Sequence, residues 1–139
     1  MQLNPYLFFD GRCEEAFKFY EKSLGGKITM MVTYEGTPAA GQVPADFGKK
    51  IVHARLAAGD LVLMGCDAPA EGFSKPQGFS VSLMVDAPAD AERVFHALAE
   101  GGNVSMPIQK TFWAERFAMF VDQFGIPWMV NCEQAAAHA

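Results

Sequence analysis

The second half of this chain closely repeats the first. The pattern of residues from Asp10 to Thr29 returns, without a gap, from Asp86 to Ser105. Each copy follows an apolar strand and contains a turn with Asp, an amphipathic helix, a Gly-Gly pair and a second strand. A chain of 139 residues has room for only two such copies. The repeat therefore predicts a duplicated α+β module.

Two further strands follow the repeated segment in each half, so each predicted module has the order βαβββ. Module one covers about 3–67, where Ala58-Gly59-Asp60 is a good hairpin connection between its last two strands. Residues 35–50 hold three glycines and two prolines without a period, and we expect a long loop there. Module two covers about 79–133.

The two modules are expected to build one domain. We predict a single domain over residues 1–134 and a disordered tail over 135–139, because that tail is short and consists of small, almost uncharged residues. Aligning the ends of the modules places Leu63 over Met129.

Composition excludes several classes of partner. Half of the residues are hydrophobic and 12% are aromatic, which is ample for a packed core. The net charge is −5 and the basic residues are scattered singly, so we expect no nucleic-acid partner. The early charged residues and the short apolar runs predict neither a signal peptide nor a membrane span. We therefore expect a cytoplasmic protein.

The cysteine pattern argues against a disulfide framework. Cys13, Cys66 and Cys132 are an odd number, and no two of them form a C-x-x-C pair. We expect free thiols in a reducing compartment.

Three segments carry a resemblance to a known family: Pro5–Phe9, Glu15–Tyr20 and the D-x-F-G-x-x-W pattern of Asp122–Trp128. Residues 2–133 resemble the PhnB-like branch of the glyoxalase/bleomycin-resistance, or vicinal oxygen chelate, superfamily, a branch also labelled 3-demethylubiquinone-9 3-methyltransferase-like. The resemblance implies paired βαβββ modules that form a curved sheet around a cleft, a small organic ligand and a homodimer.

The resemblance also implies cofactors, which the residues do not favour. S-adenosylmethionine needs a glycine-rich turn between a strand and a helix, whereas Gly-Gly follows the helices here. Superfamily enzymes hold a divalent ion with side chains from the first and last strand of each module. Strand register places Pro5, Leu63 or Met64, Ser80 and Met129 at these positions, and none is a usual ligand of a hard cation. We predict no metal and no cofactor.

The predicted ligand-binding residues have soft, hydroxyl or indole side chains, a lining typical of organic-ligand sites. Ordinary core packing remains the alternative for the strand residues, and a dimer contact remains the alternative for the tryptophan. They are Met64, Ser80, Ser82, Met84, Trp113 and Met129.

Two residues are candidates for catalysis. His53 lies on a predicted strand. It is either a structural histidine that donates a hydrogen bond to a backbone carbonyl or a general base. Asp67 follows the fourth strand, where it either fixes a turn or cap or stands at the mouth of the cleft.

Three functional hypotheses remain open at this point. The first is a PhnB-like protein that binds a small molecule and lacks the usual metal site. The second is a metal-dependent lyase, isomerase or dioxygenase whose ion is held by His53 with Asp67, Glu115 or Glu133. The third is a resistance-type protein that sequesters its ligand without chemistry.

Overall fold

A computed structural model describes residues 1–133. The predicted disordered tail, 135–139, lies outside these residues. The chain divides into two compact units, Met1–Ser74 and Lys75–Ala139, and each contains one βαβββ module, as predicted. The interpretation of 1–134 as one domain stays a prediction. In the part of the chain that the structure describes, no helix is both long and apolar enough to span a membrane.

The first unit is a mixed four-stranded sheet with one helix. Its strands lie in the order β1-β4-β3-β2, with β1 parallel to β4 and the other pairs antiparallel. The expected long loop is partly ordered, because it contains two short 3-10 helices. The elements are β1 (Tyr6–Phe9), α1 (Cys13–Leu24), β2 (Lys27–Thr33), the 3-10 helices Pro38–Gln42 and Ala45–Phe47, β3 (Ile51–Ala58), β4 (Leu61–Asp67) and a third 3-10 helix, Ala70–Gly72.

The second unit has the same topology. Its strands lie in the order β5-β8-β7-β6, again with one parallel pair, β5 with β8. The elements are β5 (Val81–Met84), α2 (Pro88–Ala99), β6 (Asn103–Gln109), β7 (Ala114–Val121) and β8 (Pro127–Glu133).

Helix α1 covers one face of the first sheet. Its Phe17 lies against Gly65 so closely that a Cβ at Gly65 would meet the Phe17 ring at 2.9 Å and the Leu7 carbonyl oxygen at 2.7 Å. Only glycine fits there. Alternate residues of β1 and β4 therefore point to the helix, and the residues between them point to the other face.

Helix α2 covers one face of the second sheet in the same way. The rings of Phe95 and Phe120 pack edge to face with their centroids 5.6 Å apart. Arg116 Nε on β7 donates to Glu92 Oε1 on α2 at 3.3 Å. Trp128 and Val130 of β8 are buried on this face of the sheet.

Strand register corrects the alignment of the two module ends. Met64 pairs with Tyr6, and Met129 pairs with Ser82 at the matching place in the second sheet. Met64, and not Leu63, therefore corresponds to Met129. The shift differs between strands, because Arg55 and Met119, the partners of these two methionines, are 64 residues apart, whereas Met64 and Met129 are 65 apart. A single shift therefore cannot align both strands.

Asp67 ties the end of β4 to the start of α1. Its Oδ1 accepts hydrogen bonds from the Gly11 and Cys13 backbone N–H groups, both at 2.9 Å, and its Oδ2 accepts from the Ile51 N–H at 2.9 Å. The residue at the N-cap, Arg12, makes no capping bond with its side chain. Asp67 supplies the missing acceptor from a neighbouring strand. These contacts favour the cap role expected for it.

Asp122 likewise accepts three hydrogen bonds in the second hairpin. Its Oδ1 accepts from the N–H groups of Phe124 and Ile126 at 2.8 and 3.0 Å, and its Oδ2 accepts from Trp128 Nε1 at 2.8 Å. The Trp128 side chain is only 1% exposed. The D-x-F-G-x-x-W pattern is therefore a turn and core motif.

Replacing Asp67 with Asn should destabilise the protein strongly. The amide presents one oxygen where two are needed and turns an NH2 group toward a backbone donor, so we expect a loss of about 3 kcal/mol in the free energy of unfolding. Urea denaturation measures this loss. Asp60→Asn in the exposed hairpin turn is the control and should change stability by less than about 0.5 kcal/mol. Equal stability of the two variants would contradict the capping role.

Candidate functional site

The first sheet leaves one face uncovered by its helix. We call this face the first open face, and its residues alternate with those that contact α1. Phe8 is 51% exposed and Tyr6 is 37% exposed on it. Its other members on β3 and β4 are His53, Arg55, Val62, Met64 and Cys66.

A hydrogen-bonded cluster lies on the first open face. Tyr6 Oη is 3.2 Å from His53 Nδ1, and the two rings are tilted with their centroids 5.8 Å apart. The Cys66 thiol is close enough to the Tyr6 hydroxyl to affect its pKa. The partner of His53 is thus a phenol, and not the backbone carbonyl that we expected for a structural histidine.

Burial keeps the acids of this region protonated. Desolvation and then the neighbouring Cys66 raise the pKa of Tyr6. Desolvation also raises the pKa of Cys66, against a smaller lowering by its contact with Tyr6. A protonated thiol is a poor nucleophile, so Cys66 is unsuited to covalent catalysis.

The two catalytic candidates do not meet. Asp67 lies on the helix-covered face with Gly65, whereas His53 follows the opposite parity from Ala54, the partner of Gly65. Both carboxylate oxygens of Asp67 already accept backbone N–H groups. Glu115 and Glu133 belong to the second unit, where Glu115 lies 4.0 Å from Lys110 and Glu133 is exposed at the end of β8.

The second sheet also leaves one face uncovered by its helix, here called the second open face. Ser82 and Met84 of β5 lie beside Met129 and Asn131 of β8, and Phe117 of β7 lies on the other side of Asn131. Three of the predicted ligand-binding residues therefore share one surface. Ser80 lies just before β5 and is half-buried.

Asn131 carries an unpaired acceptor on this face. Its Nδ2 donates weakly to Met84 Sδ at 3.4 Å. Its Oδ1 is buried and has no hydrogen-bond partner in the described part of the chain. A buried carbonyl without a donor costs about 1–3 kcal/mol, so this amide favours an incoming N–H or O–H group.

Trp113 stands at the edge of the second open face. Its ring packs edge to face on Phe117 with centroids 5.3 Å apart, and Phe112 packs on it at 4.7 Å. Thr111 Oγ1 accepts the Ala114 N–H at 3.1 Å and so holds the start of β7. The indole remains 44% exposed. Phe112, Trp113 and Phe117 therefore form a packed aromatic cluster, and its Phe117 lies beside Asn131.

Sequence analysis identified part of this arrangement. Ser82, Met84, Met129 and Trp113 do come together in the second unit, and Met64 lies in the first. Tyr6 and Asn131 were missed as site residues, although their alternation with buried neighbours along β1 and β8 was readable in the sequence.

The metal implied by the family resemblance does not fit these residues. The relevant strand pairs bring Tyr6 beside Met64 and Ser82 beside Met129, and the Pro5 carbonyl accepts from the Met64 N–H at 3.2 Å. Neutral hydroxyls and thioethers are poor ligands of hard divalent cations. Within residues 1–133, no group of three or more His, Cys, Asp or Glu side chains is arranged to hold a metal ion.

Comparisons with known proteins place the fold. The family model "Glyoxalase/Bleomycin resistance protein/Dioxygenase superfamily" matches residues 2–130. Protein YjdN of Escherichia coli (strain K12) is 32% identical, with 94% of this chain and 95% of that protein covered. The crystal structure of protein PA1353 from Pseudomonas aeruginosa is 48% identical with a TM-score of 0.85, covering 97% and 99% of the two chains.

A further solved structure bears on the PhnB-like branch. It is the putative 3-demethylubiquinone-9 3-methyltransferase, PhnB protein, from Bacillus cereus, with a TM-score of 0.78 and 21% identity over 95% of this chain and 99% of that one. This likeness confirms the PhnB-like resemblance at the level of the fold.

Divalent ions should leave the protein unchanged. Because the strand positions offer only neutral hydroxyl and thioether groups, we expect no rise in Tm on adding Zn²⁺, Ni²⁺, Mn²⁺ or Fe²⁺, and little metal in the purified protein. Thermal melts and elemental analysis measure both. One tightly held ion per chain would contradict the prediction.

Alkaline pH should destabilise the protein through its buried thiols. Desolvation, followed by the charge of Asp67, raises the pKa of Cys13 in the folded state above the ordinary 9.0. Above that pH the unfolded chain loses the thiol proton and the folded chain keeps it, so the free energy of unfolding falls as pH rises. Urea unfolding between neutral pH and about pH 10 measures the slope. The free energy of unfolding should fall less steeply with pH in Cys13→Ala. An equally steep fall would show that the Cys13 thiol is not its cause.

Proposed function

Because this chain belongs to the Glyoxalase/Bleomycin resistance protein/Dioxygenase superfamily, we propose that it is a PhnB-like protein that binds a small organic molecule on its second open face, without the usual metal. The observation that carries the proposal is the buried Oδ1 of Asn131, which has no partner within residues 1–133. It lies on the same face as Phe117, which packs against the exposed indole of Trp113.

The chemistry of the second open face defines the ligand class. Met84 and Met129 offer polarizable, adaptable contacts, and the indole of Trp113 offers a flat apolar one. Asn131 Oδ1 has no partner within residues 1–133 and can accept a hydrogen bond from a ligand. A flat, apolar molecule with one N–H or O–H donor satisfies all of these groups.

This arrangement supports binding more than metal-dependent catalysis. His53 and Asp67, two of the residues named for a metal-dependent lyase, isomerase or dioxygenase, occupy opposite faces of the first sheet. Recovery of the ligand unchanged after binding would identify the protein as one that sequesters its ligand. Recovery of a product would identify an enzyme.

A matched pair of probes tests the donor requirement. Indole carries an N–H group, and 1-methylindole is the same ring without it. We expect indole to raise the Tm, because a ligand that binds only the folded state stabilises it, and 1-methylindole to raise it less. Thermal denaturation followed by circular dichroism measures both shifts. Equal shifts, or none with either probe, would contradict the proposed site.

Asn131→Leu should separate stability from binding. The substitution removes a buried carbonyl that lacks a donor and keeps the side-chain shape, so we expect the free energy of unfolding to rise by about 1 kcal/mol. The same change should abolish the preference for indole over 1-methylindole. Asn103→Leu, at the exposed start of β6, is the control and should keep that preference. A destabilised Asn131→Leu variant that still prefers indole would refute the role of Oδ1.

The family resemblance also supports a homodimer and a cytoplasmic location, and we include both in the proposal. Sedimentation of the purified protein at twice the mass of one chain is the expected result. A monomer at micromolar concentration would remove the dimer from the proposal without affecting the ligand site.

A further inference from the structure

We propose that Tyr6 and His53 form a second site, on the first open face, where they shuttle protons to enolise small 2-oxo acids. The site does not depend on ligand binding at the second open face. It needs no metal, because both proton-carrying groups belong to the chain.

The geometry that carries the proposal is the contact of Tyr6 Oη with His53 Nδ1 at 3.2 Å. This contact exists in two forms. In one, Nδ1–H donates to the phenol oxygen, which leaves the phenol O–H and the Nε2 lone pair for a substrate. In the other, the phenol donates to Nδ1, and Nε2 carries the proton. The pair therefore always offers one donor and one acceptor.

The surroundings of this pair keep the Tyr6 phenol protonated, and both side chains remain partly exposed. Burial and the nearby Cys66 raise the pKa of Tyr6, so the phenol keeps its proton and donates it only as another proton arrives. Tyr6 is nevertheless 37% exposed, and His53 is half-buried. Both side chains are therefore partly open to solvent on this face.

Two neighbours on the same face indicate the substrate class. Phe8 lies next to Tyr6, with ring centroids 5.2 Å apart, and offers an exposed apolar platform. Tyr6 and Arg55 are both partners of Met64, so two strand spacings, about 10 Å, separate their backbones. The exposed guanidinium favours a carboxylate. A carbonyl compound with a carboxylate at one end and an apolar group at the other fits these three contacts.

The proposed step moves protons only. His53 Nε2 removes a proton from C3 of the 2-oxo acid, and the C3–H electron pair becomes the C2–C3 double bond. The Nδ1 proton passes to Tyr6 Oη, and the Tyr6 hydroxyl proton passes to the C2 oxygen, which becomes the enol hydroxyl. The pair ends in its other hydrogen-bonded form, and exchange with water restores the first. No oxidant or co-reactant is consumed.

The probe is 2-oxo-4-phenylbutanoate in deuterated buffer. Nuclear magnetic resonance follows replacement of its C3 protons by deuterium, which requires the proposed proton removal and return. The wild-type protein should exchange these protons faster than buffer alone. It should act less well on 4-phenylbutan-2-one, which lacks the carboxylate. A wild-type rate equal to that of buffer overturns the proposal.

Single substitutions test the named residues. Tyr6→Phe and His53→Gln should each lower the exchange rate by about 100-fold. Arg55→Gln should lower it by about 3-fold for the oxo acid and leave the ketone unchanged. The matched controls are His96→Gln on the exposed surface of α2 and Tyr34→Phe, whose hydroxyl donates to the Asp67 carbonyl at 2.7 Å. Both should keep the wild-type rate.

A measurement on the wild-type protein guards against variants that fail to fold. Nitrogen-15 shifts of the His53 ring report which nitrogen carries the proton, and adding the oxo acid should change both ring signals. Unchanged signals, or a folded Tyr6→Phe variant with the wild-type rate, would overturn the proposal.

Discussion

The fold of the first unit depends on one buried carboxylate. Asp67 ends β4 and accepts three backbone N–H groups from the start of α1 and the start of β3. A buried charge is costly unless hydrogen bonds replace its water shell, and these three donors do so. The same bonds fix where the helix begins relative to the sheet. They thereby decide which residues of the strands face α1 and which form the open face.

The second unit reaches the same fold without that carboxylate. Strand register makes Cys132 the counterpart of Asp67, and α2 begins at Pro88, which has no N–H to satisfy. The two modules thus satisfy the backbone N–H groups at the start of their helices in two different ways. The open faces also differ, because Asn131 stands where the first unit has Cys66. One fold therefore presents a proton-transfer pair in one copy and an unpaired amide in the other.

Both open faces retain features that a purely structural sheet would avoid. An unpaired buried carbonyl at Asn131 costs stability, and exposed rings at Phe8 and Trp113 leave apolar surface in water. Such costs are typical of binding sites, where a ligand supplies the missing contacts. By contrast, Asp122 and Trp128 satisfy each other, so their motif stabilises the hairpin and contributes no site.

The sequence by itself determined the duplication and the order of elements, because periodicity, Gly-Gly stops and turn residues act over a few neighbouring positions. It also predicted Ser82 and Met84 for one side of β5, since strand alternation is a local property. Only the tertiary structure decided which residues meet across strands. The two hairpins have connections of different length, and no local pattern reveals that Tyr6 reaches His53 or that Asn131 Oδ1 has no donor within residues 1–133.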